Sequence, residues 1–134
     1  MYIELHAASA FSFLDGASLP EALVERAAAL GYPALALLDR DGVYGIPRFH
    51  QAATRAGLKA IVGAELTVSL GGRGSGLFRL PVLVASREGY QNLCRLVTRM
   101  KLRAPKGEGA LTLSDLEEGS TSGLVALAGR PLLL

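Results

Sequence analysis

The sequence predicts an α/β fold built largely on parallel strands, and three observations predict it. Short apolar runs at Met1–Leu5, Ala34–Leu38 and Leu58–Val62 each give way to polar residues: His6, then Asp39-Arg40-Asp41, then Glu65 after Gly63-Ala64. The middle run has no polar alternation, which suits a strand buried on both faces. Segments of helical period separate the runs, so strand, helix, strand, helix and strand follow one another within about sixty residues. That order argues for right-handed βαβ units. In such folds chemistry gathers at the carboxyl ends of the strands. His6, Asp39 to Asp41 and Glu65 are therefore expected along one rim.

Taken in order, Met1–Leu5 is the first strand, and residues 6–17 form a loop rich in small and polar residues. Ser18 and Glu21 have the spacing of a capping box, with Pro20 in the first turn of the helix. Leu23, Val24, Ala27 and Leu30 mark one apolar stripe, and Gly31 stops the helix. A second helix begins near Ile46-Pro47, carries Phe49, Ala52, Ala53 and Ala56, and stops at Gly57. Glu65–Leu70 and Leu77–Ala85 are two further strands, joined by the glycine-rich connector 71–76, which reads as a flexible hairpin loop. A phosphate-binding loop would need Gly-Lys-Ser/Thr leading into a helix, and Leu-Phe-Arg-Leu-Pro follows instead.

Ser86 caps a third helix that runs to Arg103, with Leu93, Leu96, Val97 and Met100 as its buried stripe. Arg95, Arg99, Lys101, Arg103 and Lys106 make its end basic. A solvated face favoured by the helix C-terminus is the simpler reading, and a docking surface for DNA or another domain the sharper one. Residues 105–109 form a loop, Leu113–Glu118 a short helical turn, and Leu124–Ala128 a last strand.

Half of the 134 residues are hydrophobic and 19% are charged, enough to bury a core within a single domain over 1–134. A net charge of +2 gives no support to a dedicated nucleic-acid module, and four Phe and four Tyr without Trp offer no evident platform for stacking bases. The one cysteine, Cys94, excludes an internal disulfide and a cysteine zinc site, and reads as a small core residue. No signal peptide or membrane-length apolar run is present, so a cytoplasmic protein without membrane contact is expected. Leu132-Leu133-Leu134, after a strand-like run, reads as an interrupted chain rather than a finished domain.

The segments Glu4-Leu5-His6-Ala7-Ala8-Ser9-Ala10-Phe11-Ser12-Phe13-Leu14-Asp15-Gly16, Leu37–Gly45, Ile61–Glu65 and Glu88–Gly109 resemble, in this order, the PHP (polymerase and histidinol phosphatase) domain that begins bacterial C-family DNA polymerases. The first segment is most similar to the error-prone branch. The resemblance covers nearly the whole chain. It implies a distorted seven-stranded β/α barrel with outer helices, of which this chain is the first half. It also implies a parent polymerase that uses magnesium and carboxylates beyond residue 134, so no catalytic residue is expected in this fragment. DNA would be reached through the parent, and the rest of the polymerase chain would be the partner. A half-barrel leaves apolar strand edges open, so self-association of the isolated fragment is expected.

In active members the rim holds zinc or manganese ions that hydrolyse phosphoesters. The His-x-His pair of the first motif is broken here, because His6 is followed two residues on by Ala8. The second motif's ligand histidine is replaced by Arg40, whose guanidinium stays protonated and cannot bind a metal. His6, Asp15 and Glu65 match the remaining ligand positions, and Asp39 matches a residue that orients the site. The expectation is a vestigial, metal-free site in which Arg40 supplies the positive charge by pairing with Asp15 or Glu65. The alternative is an active phosphoesterase or proofreading 3′–5′ exonuclease. Bland readings stand beside each residue: His6 as a hydrogen-bonded histidine, Asp15 as a turn residue, Glu65 as a strand end and His50 as a surface histidine.

Overall fold

The structure is a computed structural model that describes residues 2–12, 16–70, 76–103, 109–118 and 121–127. The elements are β1 (Glu4–Ala7), α1 (Pro20–Ala29), β2 (Ala34–Arg40), α2 (Ile46–Ala56), β3 (Lys59–Ser69), β4 (Leu77–Val84), α3 (Arg87–Arg103), β5 (Leu111–Thr112), α4 (Leu113–Glu118) and β6 (Leu124–Ala126). The fold is mixed α/β with a mostly parallel sheet, and the chain divides into two compact units, Met1–Ala64 and Glu65–Leu134.

In the first unit β2 is the central strand, with six consecutive buried residues from Ala34 to Asp39. Burial on both faces is what its unbroken apolar run requires. β1 pairs with it in parallel, Glu4 opposite Leu35 and Ala7 opposite Leu37, with an irregular register between. β1 starts at Glu4 rather than Met1, because Tyr2 and Ile3 remain exposed and Tyr2 packs on Tyr32 at a ring separation of 5.2 Å. His6 therefore lies inside the strand rather than just past it.

α1 corrects the expected capping box. The helix begins at Pro20, Leu19 is its N-cap, and no side chain caps it. The Ser18 carbonyl instead accepts from the Ala10 N–H at 2.8 Å. The Glu21 carboxylate is held by Arg48 of α2, through Nε at 2.6 Å and Nη2 at 3.0 Å. A two-pronged guanidinium contact outcompetes a single backbone N–H for one carboxylate. α2 spans the expected residues, buries Ile46, Phe49 and Ala53, and ends at Gly57 with φ 70°. Only glycine enters that region without cost.

Through the boundary runs β3, one strand of eleven residues where the sequence suggests two. Gly63 and Ala64 carry no turn chemistry, and both stay extended and buried. In the second unit β5 pairs with β3 in parallel, Val68 opposite Leu111, and β6 pairs with β4 antiparallel, Val84 opposite Leu124. α3 has the expected cap, with Ser86 Oγ accepting from the Gly89 N–H at 3.1 Å, and buries the expected stripe of Leu93, Leu96, Val97 and Met100. Its entry is pressed against the turn before β6: a Cβ on Gly89 would lie 2.0 Å from the Gly123 carbonyl oxygen. Buried Asn92 reinforces that contact by donating to the Ser122 carbonyl at 2.8 Å. The connector residues 71–75, Lys106 and the terminal leucines lie outside the described residues.

Candidate functional site

The polar centre of the first unit is Asp39, at the carboxyl end of β2 and only 3% exposed. Its carboxylate accepts three hydrogen bonds from the loop that follows β1. Ser9 N–H donates to Oδ1 at 2.6 Å, Ser9 Oγ–H to Oδ2 at 2.7 Å, and Ser12 Oγ–H to Oδ1 at 2.8 Å. Both serines are buried. A buried carboxylate survives only when its oxygens are satisfied in this way.

The serines are themselves acceptors. Ser12 Oγ takes the Arg40 N–H at 2.9 Å, and Ser9 Oγ takes the Phe11 N–H at 3.2 Å. Ser9 and Ser12 thus staple the loop to the end of β2. Gly45, the N-cap of α2, backs the cluster from the other side: a Cβ there would sit 3.1 Å from Asp39 Oδ2 and 3.2 Å from both Phe11 and Pro20. Asp41 follows with φ 52°, a left-handed conformation uncommon for a residue with a side chain.

The expected rim residues are distributed as follows. Asp39 and the Arg40 main chain converge with Ser9 and Ser12. His6 is exposed on β1, and its N–H donates to Glu4 Oε1 at 3.0 Å. Glu65 belongs to the second unit, largely buried, with its Oε1 3.5 Å from Arg79 Nε. Asp15 lies outside the described residues. His50 is exposed on α2.

Ser9, Ser12 and Arg79 are absent from the sequence-based candidates. The Ser9-x-x-Ser12 spacing between a strand and a helix, and a lone charge within the apolar strand Leu77–Val84, are the signals that point to them.

Several of the expected rim residues lack a donor atom or are already engaged. Ala8 has no donor atom and Arg40 cannot shed its proton. The Asp39 oxygens already accept three hydrogen bonds, and Glu65 faces a guanidinium. Among the described residues no three His, Cys, Asp or Glu side chains gather closely enough to hold an ion.

The basic end of α3 stays exposed, yet two of its arginines reach back to a buried carboxylate. Arg103 makes a two-pronged pair with buried Asp115 of α4, through Nη1 to Oδ2 at 2.5 Å and through Nη2 to Oδ1. Arg99 Nη1 stands 3.7 Å from the same carboxylate, and Arg95 Nη1 donates to Asn92 Oδ1 at 3.3 Å. Asp115 also closes a capping box with Thr112, taking its N–H at 2.9 Å and donating its own N–H to Thr112 Oγ1 at 3.2 Å. The Arg103 guanidinium holds the Asp115 carboxyl down at about 2.

The sequence profile of the PHP domain matches residues 4–132. The error-prone DNA polymerase of Ralstonia nicotianae is 49% identical over 115 residues, covering 86% of this chain and 11% of its own length. That of an Anaeromyxobacter species (strain K) is 56% identical over 110 residues, covering 81% of this chain and 9% of its own. The chain thus spans about a tenth of the length of these relatives. An amidohydrolase of Chromobacterium violaceum, solved with sulfate and without metal, superposes with a TM-score of 0.59 at 32% identity over 73% of this chain and 32% of its own. A candidate metal-dependent phosphoesterase of Bifidobacterium adolescentis, 23% identical over 75% of this chain and 34% of its own, shares the fold with a TM-score of 0.58.

Proposed function

Because the chain belongs to the PHP-domain family, we propose that it is the amino-terminal PHP portion of an error-prone bacterial DNA polymerase. On this reading it is the first half of a seven-stranded barrel domain in a cytoplasmic enzyme of translesion and repair synthesis. The parent transfers nucleotides with magnesium at carboxylates outside residues 1–134. The module itself is structural. The observation that carries this part is Arg40, a fixed cation at a position where the family places a ligand histidine. Arg40 supplies charge to the rim in place of an ion, and the Asp39 staple holds the neighbouring loop without one. DNA and the rest of the polymerase are reached through the parent chain, and the isolated fragment self-associates.

The survival of His6, Asp15 and Glu65 favours a second reading, in which a zinc or manganese ion remains and supports phosphoesterase or 3′–5′ exonuclease activity. Elemental analysis after dialysis against zinc and manganese separates the two. The structural reading expects a metal-to-protein ratio near zero. A stoichiometric ion with turnover of a phosphoester overturns it.

A further inference from the structure

Glu65 matches a family ligand position, and the structure sets an arginine against it. Glu65 lies within β3 and Arg79 within β4, neighbouring strands of the sheet, and both residues belong to the second unit. Arg79 Nε stands 3.5 Å from Glu65 Oε1, with the two side chains only 18% and 11% exposed. Charges so far out of water are weakly screened. Both spring from paired strands rather than loops, so the sheet sets their approach. Arg79 is also the charged residue of an otherwise apolar strand. A guanidinium in such a place is stabilised by a carboxylate across the ladder and costly without one.

We propose that Arg79 is a positioning residue that holds the Glu65 carboxylate and keeps divalent cations off it. The proposal deepens the metal-free reading above and rests on it. A guanidinium stays protonated at any working pH. An ion taken up at Glu65 Oε1 would either stand beside a fixed like charge or drive Arg79 from its carboxylate and leave a cation in a largely buried place. Each arrangement is unfavourable. The two arginines thus act differently. Arg40 stands where the family has a ligand and removes a donor, whereas Arg79 leaves the donor in place and engages it.

The test measures manganese binding to the full-length chain, from loss of the free-ion signal in electron paramagnetic resonance. Two variants are compared, A8H with R40H, and the same pair with Arg79→Gln added. Manganese at the parent's magnesium carboxylates is common to both and cancels. The expected result is binding roughly ten-fold tighter or more without Arg79, including binding where A8H with R40H shows none. Adding Glu65→Gln should abolish that gain. Equal binding in the two variants, or none in either, overturns the proposal. So does a gain that survives Glu65→Gln. If Arg79→Gln unfolds the chain, Glu65→Gln added to it should restore folding, because the uncompensated carboxylate is then gone. A doubly substituted chain that stays unfolded also overturns the proposal. The metal-free reading fails on a different result, a stoichiometric manganese ion in the unsubstituted chain with turnover of a phosphoester. That result leaves the comparison between variants to decide the part of Arg79 alone.

Discussion

Removing the Asp39 carboxylate tests the logic of the rim most directly. Asp39→Ala deletes the acceptor of three hydrogen bonds, at 2.6, 2.7 and 2.8 Å, in a site closed to water. A hydrogen bond to a charged group contributes roughly 1.5–3 kcal/mol, so three would sum to about 4.5–9 kcal/mol. That sum is too large. The two serine hydroxyls can rotate toward other acceptors, and removing the buried charge refunds part of its desolvation cost. The Ser9 N–H cannot rotate, and its orphaning is the part of the loss that has no remedy. A net destabilisation of about 3–5 kcal/mol follows. Against a domain stability of about 5–15 kcal/mol this is a large fraction. Urea denaturation should show the midpoint falling with an unchanged slope. Ser12→Ala should cost about 1–2 kcal/mol. The double variant should lose less than the sum, because both substitutions break one network. A loss under about 1 kcal/mol for Asp39→Ala would refute the claim that this carboxylate holds the loop.

The Asp115 carboxyl, held at about 2 against an ordinary 3.8, contributes stability that is complete above 3.8 and lost as pH falls through 3.8 toward 2. Discounted for the half-exposed Arg103, the contribution is about 1–2 kcal/mol. Urea midpoints measured from pH 5 to pH 2.5 should fall less steeply in Asp115→Asn than in the parent protein, and parallel curves would contradict the pair. Gly89→Ala should cost about 3 kcal/mol or more, since its Cβ meets the Gly123 backbone at 2.0 Å. Gly57→Ala meets open space at φ 70° and should cost only about 1 kcal/mol, which a side-by-side thermal melt resolves. On the proposed reading, histidine at both positions, A8H with R40H, should raise retained zinc or manganese to at least one ion per chain by elemental analysis. Metal content unchanged from the parent would show that more than these two side chains has been lost.

The strand–helix order, the ends of α2, the Ser86 cap and the buried stripe of α3 were legible because each rests on one local rule of periodicity, capping or glycine conformation. Apart from the bounds of β1 and β3, what the sequence does not show involves a distant partner. Ser18 and Glu21 have the spacing of a capping box, but Arg48, twenty-seven residues away, takes the carboxylate. The basic run of α3 stays exposed, as a solvated face would, but its sequence does not reveal that Arg99 and Arg103 also reach Asp115 of α4. Ser9 and Ser12 look like ordinary loop residues until β2 brings Asp39, thirty and twenty-seven positions on, beneath them. Local rules cannot report which of several donors a buried carboxylate will hold.

The staple also separates main-chain from side-chain contributions at the end of β2. Ser12 Oγ accepts from residue 40 through its main-chain N–H, not through its side chain. Any residue other than proline supplies that donor. Ala8 does not take part in the staple, which passes from Ser9 to Asp39. At position 40 this one hydrogen bond therefore does not depend on which side chain is present. Substitution at Asp39, Ser9 or Ser12 has no such freedom, because there the side chain itself is the bond. Exchanging Arg40 for glutamine should therefore leave the main-chain contact to Ser12 in place, whereas exchanging Ser12 for alanine should open the loop to cleavage with Arg40 still present.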